Sequence, residues 1–458
     1  MNKIHSIRYY LLNQKILLTI LIVAVLATSI RLISLINTYA VNVFFVDEWD
    51  IYGPLFSHSG LWQIFDMQYG PHRQGFGGII IWLISGFTHW NSIGDAYTTF
   101  GLVLLASIAA LALKKILFGK WAVSDVIIPI IFLTVSQFET FVITPNEAHS
   151  AFPLLGVMLF GLAWLIPNRV VRYISVLLTN FITMFTGFGV FIGFITPILL
   201  LLDLFQAIGS KNKRWLMDVS MALIVSLLTI TLFFYNYVFA PAVSCFKITP
   251  NLVIRYPEFM SVTLSRFLSV DYSTSKWLSL GIGTVLLFLL LITFIYHGYK
   301  ILIKSSFTSL NYVGFAFSGF SLLFLFNAAV GRICLSIAAA YASRYVTLTI
   351  PGLFSIYLLL ISLSKYRWRN LSIILFLALI SISIPLRGND ISTMEYFTNG
   401  KIAWKNCYLQ IENAEACNKK TNFWVYPPIT MTHQRQIDIF HQKLDYIKKN
   451  HLNFYFDK

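Results

Sequence analysis

Charge is what this sequence has least of. Only 12% of its 458 residues are Asp, Glu, Lys or Arg, where an ordinary soluble domain carries roughly a quarter, and 57% are hydrophobic. Water cannot be the solvent for most of such a chain, which excludes a soluble enzyme or a string of globular domains. Acids are scarcer still, 19 against 34 basic residues, leaving a formal charge of +15. A nucleic-acid ligand would need those basic residues gathered on one face or stripe. They are dispersed in short clusters instead, so no nucleic-acid partner is expected. No repeat, heptad, P-loop, GxGxxG, HExxH or GxSxG motif stands in a supporting context. The cysteines number four, with no CxxC or Cys/His spacing suited to zinc.

What is present is a succession of apolar stretches from Ile16 to Leu386, each bounded by Lys/Arg, Asn or Pro. The first is too long for a signal-peptide core and has no small-residue cleavage pattern behind it, so it reads as a retained helix. Basic clusters fall at Lys3/Arg8/Lys15, Lys114/Lys115/Lys120, Arg169/Arg172, Lys211/Lys213/Arg214, Lys300/Lys304 and Lys365/Arg367/Arg369. The positive-inside rule puts these segments in the cytoplasm, an even number of crossings apart. The stretch 173–205 is too long for one crossing, and Gly187, Gly189 and Gly193 mark a hairpin turn within it. The expected spans are 16–37, 97–113, 121–136, 151–167, 173–186, 188–206, 216–238, 278–299, 307–327, 346–364 and 371–387. The fold class is therefore all-α, a polytopic membrane protein of about eleven transmembrane helices, in a bacterial inner membrane, with a cytoplasmic N-terminus and a periplasmic C-terminus.

Four outer segments are longer than a turn needs: 38–96, 137–150, 239–277 and 388–458. In the first, 54–66 and 77–85 suit interfacial helices. Residues 1–387 form the transmembrane domain. The tail 388–458, with Trp404, Trp424 and Tyr426-Pro427-Pro428, reads as a small folded cap. Cys407 and Cys417 lie ten residues apart within it; in an oxidising compartment a bridge between them would add roughly 2–3 kcal/mol, and two free thiols are the alternative.

Chemistry has few places to reside. Asp47, Glu48 and Asp50 surround Trp49 at the outer end of the first span, where acids are costly unless used. One can serve as general base toward an acceptor hydroxyl while a neighbour orients it; ending the helix in water is the plainer explanation. Glu139, Glu147 and His149 in the second loop offer a second wall of the same cleft, or simple capping and solvation. Arg332 and Arg344, between the ninth and tenth spans, suit a lipid phosphate, because guanidinium stays ionised and bonds phosphate bidentately; snorkelling is the alternative. The clustered acids leave room for a divalent metal without requiring one.

Asp47-Glu48-Trp49-Asp50 after the first span, with interfacial helices following, resembles the acidic motif of the glycosyltransferase-C superfamily. Within it the chain is most similar to the O-antigen glucosyltransferases of serotype-converting phages and islands, through His72-Arg73, Gln137-Phe138-Glu139, the Gly187/Gly189 turn, Ser343-Arg344-Tyr345 and the run Trp404, Cys407, Cys417, Tyr426-Pro427. That resemblance implies transfer of a hexose, glucose by analogy, from undecaprenyl phosphate to a hydroxyl of O-antigen or a related surface polysaccharide on the periplasmic side. Asp47 would be the base, Glu48 or Asp50 its orienting neighbour, and Arg332, Arg344, His72 and Arg73 the donor-phosphate ligands. A lipid-linked saccharide flippase is the first alternative and an O-antigen polymerase or ligase the second. The odd span count, the absence of a repeat and the surface position of the acids argue against the flippase.

Overall fold

The computed structural model describes every residue except 1, 242, 305, 427–433, 457 and 458, with side chains described from residue 13 and, in the last helix, from residue 437. Pro427 and Pro428 of the tail fall outside the described residues. The chain is almost wholly helical, 78% helix against 1% strand. In hydrocarbon every backbone N–H and C=O must be satisfied within its own segment, which leaves helix as the only solution for a chain of this pattern.

The principal helices are α1 (Asn2–Tyr39), α2 (Glu48–Ile51), α3 (Gly75–Thr88), α4 (Ser92–Phe118), α5 (Phe152–Trp164), α6 (Arg169–Met184), α7 (Val190–Ser210), α8 (Lys213–Phe234), α9 (Tyr256–Arg266), α10 (Lys276–Leu302), α11 (Ser309–Arg332), α12 (Val346–Ser362), α13 (Tyr366–Ser381), α14 (Gly388–Ile411), α15 (Ala414–Thr421) and α16 (Gln434–Lys449). Among the described residues seven helices are long and apolar enough to cross a membrane: Asn13–Tyr39, Ser92–Phe118, Gly187–Ser210, Lys213–Phe234, Lys276–Leu302, Ser309–Arg332 and Ser343–Ser362. The other four expected spans are helical but shorter. The third is a broken piece over Val123–Gln137, α5 has 13 residues and α6 and α13 have 16 each. At about 1.5 Å per residue these do not reach across a ~30 Å core without their flanking turns.

The helix ends explain themselves chemically. Asn168, Asn212 and Thr308, beside the basic clusters, each accept a backbone N–H of the helix they start, supplying donors that would otherwise be unsatisfied. α6 and α7 are joined by the tight turn Gly187–Gly189. A Cβ on Gly189 would strike the Thr183 carbonyl oxygen, so that turn needs glycine. Charges inside the bundle are paired: Lys114 with Asp125 at 2.6 Å, and Asp203 with the Tyr173 and Tyr312 hydroxyls at 2.8 and 2.6 Å.

At the other end the polar segments build one layer. The first loop contains a two-stranded antiparallel ribbon, β1 (Gln68–Tyr69) and β2 (His72–Arg73), followed by α3, which is too short to span. Residues 139–143 and 147–151, expected as loop, are wound into two π-helical turns. The tail lies over this layer: the Val46 N–H donates to the Val425 carbonyl at 2.8 Å, Asn453 N–H to His89 at 2.8 Å, and Trp49 packs edge-on to Phe440 at 5.0 Å. Cap and membrane part share one continuous apolar core. Two disulfides hold the layer, Cys407–Cys417 within the cap and Cys245–Cys334 between the 235–255 segment and the end of α11.

Candidate active site

Three acids stand next to one another in sequence, and the fold sends them in three directions. Val46 opens the turn with φ +52°, a left-handed conformation that β-branched residues avoid. Asp47 then begins α2 with its carboxylate half-buried, accepting a hydrogen bond from the Tyr69 hydroxyl at 2.9 Å. Glu48 points into the core and is only 2% exposed; its Oε2 accepts the Phe45 N–H at 2.7 Å. Asp50 turns toward the cap, accepting from the Tyr426 hydroxyl at 2.9 Å and from Lys443 Nζ at 3.3 Å.

Burial pushes the Glu48 carboxyl up to about 8, with Lys401 pulling it back and Asp95 adding to the rise. Lys401 is itself brought down to about 8 by burial, opposed by Glu48, and donates to the Ile143 carbonyl at 2.5 Å. Glu147 joins this interior group: burial, reinforced by Asp95, raises its carboxyl well above the usual range. Tyr52 donates to Asp95 at 2.8 Å. Glu48 and Glu147 are thus interior acids that favour the protonated state, and Asp47 is the acid that faces the cleft.

Opposite Asp47 lies a wall of nitrogen. The Gln74 side-chain amide, a donor, sits 2.8 Å from His149 Nε2, so that nitrogen accepts and the ring is neutral. Burial lowers His149 to about 4, opposed by Asp47 and reinforced by Arg332. His72 is held low by burial, then by His149 and Arg332, with its ring 5.3 Å from His149 and 4.2 Å from Phe188. Arg332 is half-buried and lies over the Tyr345 ring at 5.8 Å. Arg344, half-exposed, is anchored by its N–H to Glu139 Oε2 at 3.1 Å and lies within electrostatic reach of Asp47. The Glu139 N–H donates to Ser343 at 2.9 Å, joining the second loop to the segment that carries both arginines.

Asp47, His72, His149, Arg332, Arg344 and Glu139, all singled out in the sequence, are therefore linked into one cluster by hydrogen bonds, ring contact and electrostatic reach. Arg73 is not. Its guanidinium is 2% exposed and spent on Asp66 and on the Phe233 and Tyr235 carbonyls. Its geometry is that of a brace between the first loop and α8, with no face left for a donor phosphate. Among the described residues no group of three or more His, Cys, Asp or Glu side chains converges in a way that could hold a metal ion.

No protein-family model matches the chain, and no curated protein matches it. The site has to be read from its own geometry.

Sequence reasoning passed over Tyr69, Gln74, Asp95, Lys401 and Lys443, and gave Tyr426 no role beside Asp50. Asp95 carried a signal, an acid at the first turn of a span, where ionisable groups are rarely idle. Lys401 and Lys443 carried none, because their hydrogen-bond partners lie 258 or more positions away.

Proposed function

We propose that the chain is a membrane glycosyltransferase that moves a hexose from a polyprenyl phosphate to a hydroxyl of a surface polysaccharide. The observation that carries this reading is the arrangement around Asp47: a half-open carboxylate within electrostatic reach of Arg344 and of His149, on which Arg332 also acts, at the end of the bundle opposite the basic clusters. A base and a bank of fixed cations in one cleft are what displacement of a phosphate from a sugar needs.

In the proposed step Asp47 takes the proton of the acceptor hydroxyl as that oxygen attacks the anomeric carbon. The bond from that carbon to the phosphate oxygen breaks, and the electron pair leaves with the polyprenyl phosphate. Arg332 and Arg344 stabilise the departing dianion, since preorganised donors aimed at developing charge are commonly the largest catalytic contribution. Attack opposite the leaving group inverts the anomeric centre. His149 and His72, held neutral, shape the floor of the cleft without competing for the proton. The positive-inside pattern puts this face in the periplasm of a bacterial inner membrane.

The test is direct. Membranes containing the protein are incubated with synthetic polyprenyl-phosphate-glucose and acceptor polysaccharide, and label is followed into polymer. Asp47→Asn should retain membrane insertion and lose at least ~10²-fold in transfer, the lower range for a missing general base. Full transfer by Asp47→Asn would remove Asp47 from this role, and no transfer by the wild type from any lipid-linked sugar would sink the reading.

A further inference from the structure

The tail does more than cover the first loop. Two of its segments contact the 46–51 turn around Asp47, and a third, α14, places Lys401 over the Phe45 ring that precedes the turn, at 5.1 Å. Val425 accepts the N–H of Val46 at 2.8 Å, the residue held at φ +52°. A β-branched residue in that region is strained and persists only where its surroundings impose it. Tyr426 and Lys443 reach the same oxygen of Asp50, at 2.9 and 3.3 Å, and Lys443 also donates to the Trp49 carbonyl at 2.7 Å. Lys401, from α14, is 1% exposed and lies in the electrostatic field of Glu48. The cap side of the clamp is itself fixed: Cys407 bonds Cys417, Trp404 donates to Asn418 at 2.7 Å, and Phe440 packs on Trp49.

Among the described residues Asp50 is the acid of the motif that the cap grips directly, while Glu48 is turned into the core, where Lys401 lies within its electrostatic reach. Asp47 is left as the partly exposed acid between them. We propose that the C-terminal cap is a working part of the site, with Lys401, Tyr426 and Lys443 as positioning residues that clamp the 46–51 turn and so set the Asp47 carboxylate. The consequence for catalysis rests on the glycosyltransferase reading; the clamp itself does not. Tyr426 and Lys443 act on Asp50 and on the Trp49 carbonyl, so their effect on Asp47 passes through the backbone of the turn. A loosened clamp leaves substrate binding nearly intact and lowers the fraction of time the base is in register, where a displacement of about 1 Å can cost ~10²-fold in rate.

The experiment has two readouts on the full-length protein in detergent or nanodiscs. Amide hydrogen exchange by mass spectrometry follows peptides covering 44–52, and the transfer assay gives kcat and KM for the lipid donor. Lys443→Met with Tyr426→Phe should accelerate exchange of the 46–51 amides by at least about tenfold, with peptides from α10 and α11 unchanged, since local opening is independent of distant elements. It should also lower kcat about tenfold or more, with donor KM within about twofold. Lys443→Arg should restore most of both, because it keeps the charge and a donor. Should the double variant not accumulate, the single changes Tyr426→Phe and Lys401→Met are measured in its place. Unchanged exchange over 46–51 in variants that lack these groups overturns the clamp, whatever the activity. Accelerated exchange in a protein whose wild type transfers no lipid-linked sugar upholds the clamp and sinks the glycosyltransferase reading instead.

Discussion

At the residue scale the decisive property is depth. Asp47 and Glu48 are adjacent and chemically alike, yet one opens to the cleft while the other is buried against Lys401. Depth also sets the pH behaviour of the buried groups Glu48 and His149. His149 has its folded value depressed from 6.5 to about 4, so its contribution to stability is complete above its unfolded value and is lost as pH falls from 6.5 toward 4, where the unfolded chain binds a proton and the folded one does not. Thermal unfolding of His149→Gln should show a smaller loss on acidification through that window than the wild type; equal losses would mean that the ring is not buried neutral. Glu48 has the opposite sign. Its folded value is raised from 4.5 to about 8, so its contribution is complete in acid and is lost as pH rises through that range. Between about pH 5 and pH 7 Glu48→Gln should flatten the decline measured for the wild type.

At the element scale the turns and straps carry the specificity of the fold. The α6–α7 turn brings Phe188 to His72 and depends on glycine at 189. Gly189→Ala is expected to cost more than ~2 kcal/mol or to prevent accumulation, the range for forced backbone displacement; near-normal yield and Tm would show that the turn can relax. The 235–255 segment is a strap across the β-ribbon. Tyr237 donates to the Pro71 carbonyl at 2.9 Å, Arg73 holds the start of the strap, and Cys245–Cys334 fastens it beside Arg332. Lys247 is exposed on it. Cys245→Ser with Cys334→Ser should therefore speed tryptic cleavage after Lys247, and in the wild type the two fragments should stay joined until reductant is added. Equal cleavage rates would show that the bridge does not restrain the strap. Its two cysteines are 89 residues apart, a separation from which local sequence offers no pairing.

At the scale of the whole molecule the bundle has two unlike ends. Gln14 of α1 accepts the Trp121 N–H at 2.7 Å at the basic end, and Tyr39, at the other end of the same helix, accepts from Thr398 of the cap at 2.8 Å. The N-terminal part of α1 and the C-terminal cap thereby lie at opposite ends of that helix. Reporter fusions after residues 120, 210 and 367 should read cytoplasmic, and those after 60, 255 and 420 periplasmic. A cytoplasmic reading after 420 would contradict both the positive-inside assignment and the clamp between cap and first loop.

Hydrophobic runs and the spacing of basic clusters were enough to determine that this is a helical membrane protein and that its polar sequence collects at one end, because the cost of exposing backbone or charge to hydrocarbon depends on local composition alone. The acids, histidines and arginines near Asp47 could be singled out because they are rare ionisable groups at span ends, where solvation, capping or snorkelling is the competing explanation. What separates Asp47 in exposure from Glu48, what turns Arg73 into a brace, how the shorter helices and π turns pack, and that Cys245 pairs with Cys334 were decided only by tertiary structure. Those outcomes depend on desolvation and on partners drawn from loops and a tail hundreds of residues apart, and neither quantity has any trace in local sequence.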